Sequence, residues 1–235
     1  MRDLAAVTEL YLCAETPCKG WFDIGSYGVE QYIAGVSHLE YARLDDLSDL
    51  QSMPNLRLLS LNRLGIRDIS EICRLPLTHL GLGSNQISDI SPLSQMNTLA
   101  FLDLSNNPVY ALDGLENCPN LSWLNISAVP VLSLAPLTKL HLQTLLIYDM
   151  LPAIDVSSLK DMHDLKSIGA RNFSNAGIQA ISKLIDLDNV GIFNADVADL
   201  TPLKNLTGLS NLMLVHGPLT SVEGVSAFDG LTDLD

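Results

Sequence analysis

One apolar pattern recurs about every 22 residues over most of this sequence. In its clearest copy, Leu99, Leu102 and Leu104 are followed by Asn107 and then by three more apolar residues at intervals of two or three. Recurrence at such a period is the signature of a repeat architecture, in which each unit packs only on its neighbours. The frame begins at Ala34, Leu56, Leu77, Leu99, Leu121, Leu142, Leu165, Leu187 and Leu209, and a tenth copy begins at Leu231.

The spacing within one copy determines the shape that the copies build. The leucines of an L-x-L pair point to the same face of a short strand, because side chains alternate along a strand. A single copy cannot bury that face alone, so successive strands pair in parallel and the bulkier return segments curve the stack. The sequence therefore predicts an α/β fold, a right-handed solenoid with a parallel β-sheet on its concave face and 3-10 or short helical segments on its convex face.

The return segments share a further motif, in which an Asp stands directly before an apolar residue. It reads ISDISPL at residues 87–93, VADLTPL at residues 197–203 and, less fully, IRDI at residues 66–69. These segments and the repeat length resemble the leucine-rich-repeat family, in its 22-residue class typified by internalins and by a protein-phosphatase regulator. The resemblance covers about residues 34–235 and implies a horseshoe-shaped fold that binds proteins.

The sequence also departs from the family pattern. The family's buried asparagine is kept only at Asn85 and Asn107, so we expect apolar packing and less regular turns in the other repeats. The sixth repeat has one extra residue within residues 151–156. In the seventh repeat, apolar residues at helical spacing over residues 175–184 predict a short convex helix with Asn175 as its N-cap.

Residues 1–33 lie outside the repeat frame. Leu4, Val7 and Tyr11 have the spacing of one helical face, and an aromatic-rich stretch follows. The first repeat of a solenoid exposes an apolar end that needs a cover. We therefore predict an N-terminal cap over residues 1–33, made of a helix and the aromatic-rich segment, and a repeat domain over residues 34–235 with nine repeats and the start of a tenth.

The chain is strongly acidic, with a formal net charge of −14. A nucleic-acid backbone would be repelled by this field, so nucleic acid is not expected as a partner. A basic partner protein would be attracted, and its association would be accelerated. The alternative is that the charge keeps a long repeat surface soluble and monomeric. Both explanations stay open at this point.

Cellular context follows from apolar runs and cysteines. No apolar stretch reaches the roughly 20 residues that a bilayer span requires, and no basic and apolar leader begins at Met1. We therefore expect a cytoplasmic protein that does not use a membrane. Cys73 and Cys118 are predicted in the repeat core. Cys13 and Cys18 are expected to be free thiols, with pairing as the alternative if the protein is exported.

No motif that carries catalysis is recognisable. The five histidines show neither H-x-x-x-H nor H-E-x-x-H spacing, and there is no C-x-x-C pair, nucleophile elbow or phosphate-binding loop. Asp46, Asp68, Asp89 and Asp199 share one position in the frame, where a carboxylate accepts backbone N–H groups at the start of a turn. We therefore predict structural acids, no cofactor, no metal and no enzymatic activity.

The frame also predicts which side chains the concave sheet presents, namely those between and just after the strand leucines. These positions contain few charges but several aromatic side chains, which beside an arginine are typical of a binding hot spot. The alternative is that a loop or the cap covers some of them. The predicted partner-binding residues are Phe101, Trp123, Tyr148, Arg171, Phe193, Asp103, Asp149, His79, Tyr41 and Arg63.

These observations predict a non-catalytic protein-binding module that holds its partner on the concave face and is a monomer when unbound. Two roles fit this prediction. One is a regulatory or adaptor subunit, and the other is an acidic immunity-type inhibitor of a basic toxin enzyme. The alternative class is the ligand-binding domain of an internalin-like surface adhesin, separated from its export and anchor segments. An export signal and an anchor would distinguish the adhesin from the other two roles.

Overall fold

The stacked strands form one parallel sheet. The computed structural model describes residues 8–13, 47–194, 198–216, 218 and 220–234. In this part of the chain, ten strands are hydrogen-bonded in sequence order, from β1 at one edge to β10 at the other. The strands are β1 (Glu9–Cys13), β2 (Leu58–Asn62), β3 (His79–Gly81), β4 (Phe101–Asp103), β5 (Trp123–Asn125), β6 (Thr144–Ile147), β7 (Ser167–Arg171), β8 (Asn189–Phe193), β9 (Asn211–Val215) and β10 (Asp233–Leu234).

The repeat frame and the strand register agree. Each strand from β2 to β9 begins two residues after a frame leucine, so Leu58, His79 and Phe101 are direct cross-strand neighbours. The inward side chains of the L-x-L pairs are fully buried in one continuous core. Those predicted to be inward and found so are Leu59, Leu61, Leu80, Leu82, Leu102, Leu104, Leu124 and Ile126. The solenoid predicted from the spacing is therefore confirmed.

Each strand ends in a turn of the same geometry. The residue seven positions after the frame leucine has a positive φ, between 54° and 62°, in eight successive repeats. Asn and Asp tolerate this left-handed region best among residues with a side chain, and they hold four of these positions. The eight residues are Arg63, Ser84, Asn106, Ala128, Asp149, Asn172, Asn194 and His216. The expectation of less regular turns was wrong, because this backbone conformation is kept where the asparagine is absent.

The two retained asparagines bond the turns of adjacent repeats together. Asn85 Oδ1 accepts from the backbone N–H groups of Leu64 and Ile66 at 3.0 and 3.1 Å. Asn107 Oδ1 accepts from Ile87 N at 3.0 Å, and its Nδ2 donates to the carbonyl oxygens of Leu82 and Leu104, both at 2.9 Å. Both asparagines are buried, so they satisfy backbone groups that water does not reach.

The return segments are mostly 3-10 turns, as predicted. They lie at Ser48–Ser52, Ile72–Arg74, Ser91–Gln95, Leu115–Asn117, Ala135–Lys139, Ser157–Asp161, Thr201–Leu203 and Val225–Ala227. The seventh repeat instead forms the predicted helix, α1 (Asn175–Ile181). Its N-cap is Ser174 rather than Asn175, because the Ser174 hydroxyl accepts from Gly177 N.

The shared acids start these turns. Asp68 accepts from Ser70 N at 2.8 Å, Asp89 from Ser91 N at 2.9 Å, and Asp199 from Thr201 N at 2.8 Å. The hydrogen bonds from the Ser70 hydroxyl and backbone N–H lower the pKa of the Asp68 carboxyl, and those from the Ser91 backbone and hydroxyl lower the pKa of Asp89. The structural role predicted for these acids is confirmed at the three positions, while Asp46 lies outside the described residues.

The N-terminal edge differs from its prediction. Glu9–Cys13 form a strand rather than a helix, and this strand pairs directly with β2, with Leu10 opposite Leu59. Leu10 and Leu12 are therefore in register with Leu59 and Leu61 of β2. The repeat frame predicted that the strand beside β2 comes from the copy that begins at Ala34. Five residues are too few to distinguish the period of a helix from that of a strand. This segment forms a strand because it can hydrogen-bond to the open edge of the sheet at β2. The boundary at residue 34 lies outside the described residues.

Two core cysteines are free and buried, as predicted. Burial raises the pKa of Cys73 to about 12 and that of Cys118 to about 11. The Cys118 thiol lies 3.3 Å from the Leu93 carbonyl oxygen. Both thiols therefore serve as small core side chains. The side chains of Cys13 and Cys18 lie outside the described part of the chain, so their pairing stays a prediction.

Candidate functional site

The concave face consists of three columns of outward side chains that run across the strands. On β2 and β3 the first column contains Leu58 and His79, and the second contains Ser60 and Gly81. The third column contains Asn62 on β2. The register places His79, Phe101 and Trp123 in the first column, Asp103 in the second, and Arg171 and Phe193 in the third. What each side chain can contact then depends on the residues beside it in its column and in the next.

An aromatic row occupies the first column on β3 to β5. The rings of His79 and Phe101 stack with centroids 4.3 Å apart and an interplanar angle of 9°. The Phe101 and Trp123 centroids are 6.0 Å apart, at 27°. All three rings are half-buried, because each covers one side of the next. Burial lowers the pKa of His79, which favours its neutral form.

Beside this row lies a packed polar area. Asp103 is only 4% exposed, and Ser60, Ser105 and Asn125 are also buried. Ser105 N donates to Asp103 Oδ1 at 2.9 Å. The prediction that Asp103 is open on the concave face was wrong, because its carboxylate packs with the side chains of Asn62 and Ser105 over Gly83, which has no side chain of its own. Burial raises the pKa of Asp103, and the hydrogen bonds from Ser105 oppose that effect.

A second aromatic group, the Tyr148 cluster, lies at the other end of the strands. It consists of Tyr148, Asp149, Arg171 and Phe193. The Tyr148 and Phe193 rings meet edge to face with centroids 6.1 Å apart, and the Arg171 guanidinium lies 5.4 Å from the Phe193 centroid. Arg171 also pairs with Asp149 at 3.1 Å. The structure therefore brings four of the predicted site residues into one group.

The Tyr148 ring has a fixed place on the sheet. It lies over Gly169 of β7, where a Cβ atom would come within 2.7 Å of Tyr148 Cζ and 2.9 Å of Leu146 Cδ2. Burial raises the pKa of the Tyr148 hydroxyl, although Arg171 nearby has the opposite effect. The ring thus packs on Gly169 on one side and on Phe193 on another, which fixes its position before a partner binds.

Besides the buried Asp103, two more predicted site residues have no established place in either aromatic group. Arg63 is exposed in the left-handed turn after β2, and its backbone N–H donates to the Gly83 carbonyl. Tyr41 lies outside the described residues. Neither is placed with the aromatic row or the Tyr148 cluster, so both remain predictions as partner contacts.

Charged side chains are more frequent at the rim where the strands begin than in the columns of the concave face. His141 Nδ1 and Asp164 Oδ2 are 2.7 Å apart, and Lys166 Nζ lies 3.9 Å from Asp186. Asp188 accepts from Asn189 Nδ2 at 2.9 Å. These groups are exposed, so their pairs contribute little to stability but shape the field that a partner meets.

Sequence reasoning missed three exposed apolar side chains in the segments that follow the strands. Tyr110 is 70% exposed, Leu132 57% and Leu151 42%. Tyr110 and Leu132 stand eleven residues after their frame leucines, where neighbouring repeats have Ser88 or Arg67. The sequence contained a signal for this feature, because two consecutive repeats have an apolar residue at a position where other repeats have a polar one.

The described residues contain no group of three or more His, Cys, Asp or Glu side chains that could hold a metal ion. A search of the same residues for a membrane-spanning helix, long and apolar enough to cross a bilayer, found none.

Comparisons with known proteins agree with this architecture, although no protein-family model matches the chain. Over 103 residues it is 36% identical to leucine-rich repeat-containing protein 56 of Homo sapiens, covering 43% of this chain and 18% of that protein. It is similar in structure to an internalin (inlF) from Listeria monocytogenes, with a TM-score of 0.70, 26% identity, and coverage of 84% of this chain and 59% of that one. An internalin C2 (inlC2) from the same organism gives a TM-score of 0.66 and 24% identity, covering 80% of this chain and 82% of that one. The chain thus spans less than two thirds of the human protein and of inlF.

Proposed function

Because this chain is a leucine-rich-repeat protein, we propose that it is a non-catalytic module that binds a partner protein on its concave face. The observation that carries the proposal is the grouping of half-buried aromatic side chains on that face, in the aromatic row and the Tyr148 cluster. Trp, Tyr and Arg are enriched among the few residues that supply most of the energy in protein interfaces.

The charges of the concave face support the same proposal. Asp103 is buried, and Asp149 is paired with Arg171. A partner therefore meets aromatic surface there without having to strip water from many isolated charges, which would cost free energy. The acidic rim acts at longer range, where charge raises the association rate more than the affinity.

The partner's identity divides this proposal into the two roles that fit an acidic binding module. A regulatory or adaptor subunit binds an enzyme or scaffold without blocking its active site. An immunity-type inhibitor binds a basic toxin enzyme and abolishes its activity. The net charge of −14 supports a basic partner in either role. An activity assay of the captured partner distinguishes the two roles, because only the inhibitor lowers turnover.

A second candidate is the ligand-binding domain of a surface adhesin, and the similarity in structure to two internalins favours it. In this case the binding face is the same, but the partner is a protein on another cell's surface. Fractionation of the native cells separates the two candidates, because an adhesin is found with the cell surface and an adaptor or inhibitor with the cell interior.

The test is a binding measurement on matched aromatic variants, with a partner captured from the native organism. Trp123→Ala and Tyr148→Ala are each expected to weaken binding by about 2 kcal/mol or more, while circular dichroism stays unchanged. Tyr110→Ala is the control, since Tyr110 is an exposed aromatic residue outside the concave face. If Tyr110→Ala abolishes binding and the two concave variants have no effect, the partner binds around Tyr110 and the proposed site is wrong.

A further inference from the structure

On the described part of the concave face, Gly191 lacks a side chain and no other side chain covers it. The second column runs Leu146, Gly169, Gly191 and Met213 across β6 to β9. Leu146 and Tyr148 cover Gly169, whereas a Cβ atom at Gly191 would meet no other atom within 4 Å. The sheet therefore has a hollow at Gly191, next to the Tyr148 cluster.

Mostly apolar side chains surround this hollow. Phe193 and Asn189 flank Gly191 on its own strand, and Met213 lies directly opposite on β9. Tyr148, whose ring meets that of Phe193, closes the side towards β7. Strands are spaced by about 4.8 Å, so the gap from the covered Gly169 to Met213 is about one side chain wide. Methionine adapts its shape to what packs against it, which suits a wall of a receiving site.

The charge beside the hollow indicates what flanks its occupant. Asp186 and Asp188 are exposed at the start of β8, and Asp164 is exposed one repeat earlier. Lys166 lies 3.9 Å from Asp186 and offsets part of this charge. Asp188 precedes Gly191 by three residues, which is about 10 Å along a strand. In an extended segment, two or three residues cover this distance, so a basic residue at that separation would meet the carboxylates.

On the premise that the concave face binds a protein, we infer that the Gly191 hollow receives one apolar side chain from an extended segment of the partner, and that a Lys or Arg two or three residues away lies against Asp186 and Asp188. This inference deepens the proposed function by specifying the chemistry of the partner segment. Burial of the apolar side chain against Phe193, Tyr148 and Met213 supplies affinity, and the basic residue fixes direction along the strand.

The experiment uses random peptides displayed on phage and selected on the full chain. The selected peptides are synthesised, and their affinities are measured by fluorescence polarisation. Gly191→Leu fills the hollow, and Ala135→Leu adds a leucine at an exposed position of a convex 3-10 turn as the control. Thermal unfolding of both variants checks that the fold is intact, as expected from the open space at Gly191.

The expected result is that selected peptides combine an apolar residue with Lys or Arg two or three positions away. Their affinity falls at least about tenfold on Gly191→Leu and not on Ala135→Leu, and Asp186→Asn with Asp188→Asn weakens binding mainly at low salt. If Tyr148→Ala or Trp123→Ala abolishes peptide binding but Gly191→Leu does not change it, the hollow is not the receiving site, although the peptides still bind the concave face. Peptides unaffected by all of these changes would count against the concave face itself. Self-association of the chain that Gly191→Leu abolishes would make a second copy the occupant and overturn the inference.

Discussion

The same substitution on two adjacent strands is expected to change stability in opposite directions. Gly169→Ala and Gly191→Ala lie side by side in one column, and both remove glycine from a strand. Each gains about 0.4–1 kcal/mol, because alanine has fewer conformations to lose from the unfolded chain. The difference between them comes from the folded state, in which Tyr148 and Leu146 cover only the first glycine.

The cost at Gly169 follows from that contact. A Cβ atom would come within 2.7 Å of Tyr148 Cζ, so the ring must tilt away. Overpacking of this kind costs about 1–3 kcal/mol, and the tilt weakens an aromatic pair with Phe193 that is worth about 0.5–1.5 kcal/mol. We expect Gly169→Ala to lower the free energy of unfolding by about 0.5–2 kcal/mol and Gly191→Ala to raise it by up to about 1 kcal/mol.

Urea unfolding followed by circular dichroism measures both variants and also Gly169→Ala in a Tyr148→Ala background. If the ring is the obstacle, Gly169→Ala becomes neutral or stabilising once Tyr148 is removed, which is the coupling that a double-mutant cycle reports. Equal shifts of the same sign for Gly169→Ala and Gly191→Ala would refute the placement of Tyr148 over Gly169. A penalty at Gly169 that persists without Tyr148 would assign the clash to Leu146 instead.

Three further predictions concern the core, the asparagine bonds and the buried acid. Leu104→Ala leaves a cavity in the middle of the stack and is expected to cost about 2–5 kcal/mol, against about 0.5–2 kcal/mol for Asp89→Ala, so a larger loss for Asp89→Ala in urea unfolding would contradict the roles assigned to them. Asn107→Ala removes the side-chain partner of the buried Ile87 N–H and of the Leu104 carbonyl and is expected to cost about 2 kcal/mol or more, whereas Asn117→Ala, at an exposed position of a 3-10 turn, is expected to cost less. Burial raises the folded-state pKa of Asp103, so protonation of this group favours the fold, and its destabilising effect is present above that pKa and lost as pH falls through it. Asp103→Asn is therefore expected to raise the free energy of unfolding at pH 7, with a gain that shrinks towards about pH 4, and a gain independent of pH would contradict this assignment.

The repeat frame alone determined the central part of this protein. The alternation of the L-x-L pairs fixed which side chains face the core, and the step between copies fixed which residues become neighbours across strands. The positions of Phe101, Trp123 and Tyr148 on the concave face followed from that arithmetic. These features depend on local periodicity, which a repeat sequence states many times over.

What each outward side chain contacts depends on the packing between repeats. Asp103 is buried with its polar neighbours over Gly83, which has no side chain, and Tyr148 is held because Gly169 leaves room for its ring. Glu9–Cys13 joined the sheet by pairing with β2, across a separation in sequence that the 22-residue frame does not describe. In each case the outcome depends on which atoms occupy the neighbouring space, and a pattern of polar and apolar residues specifies the face of a side chain but not the volume around it.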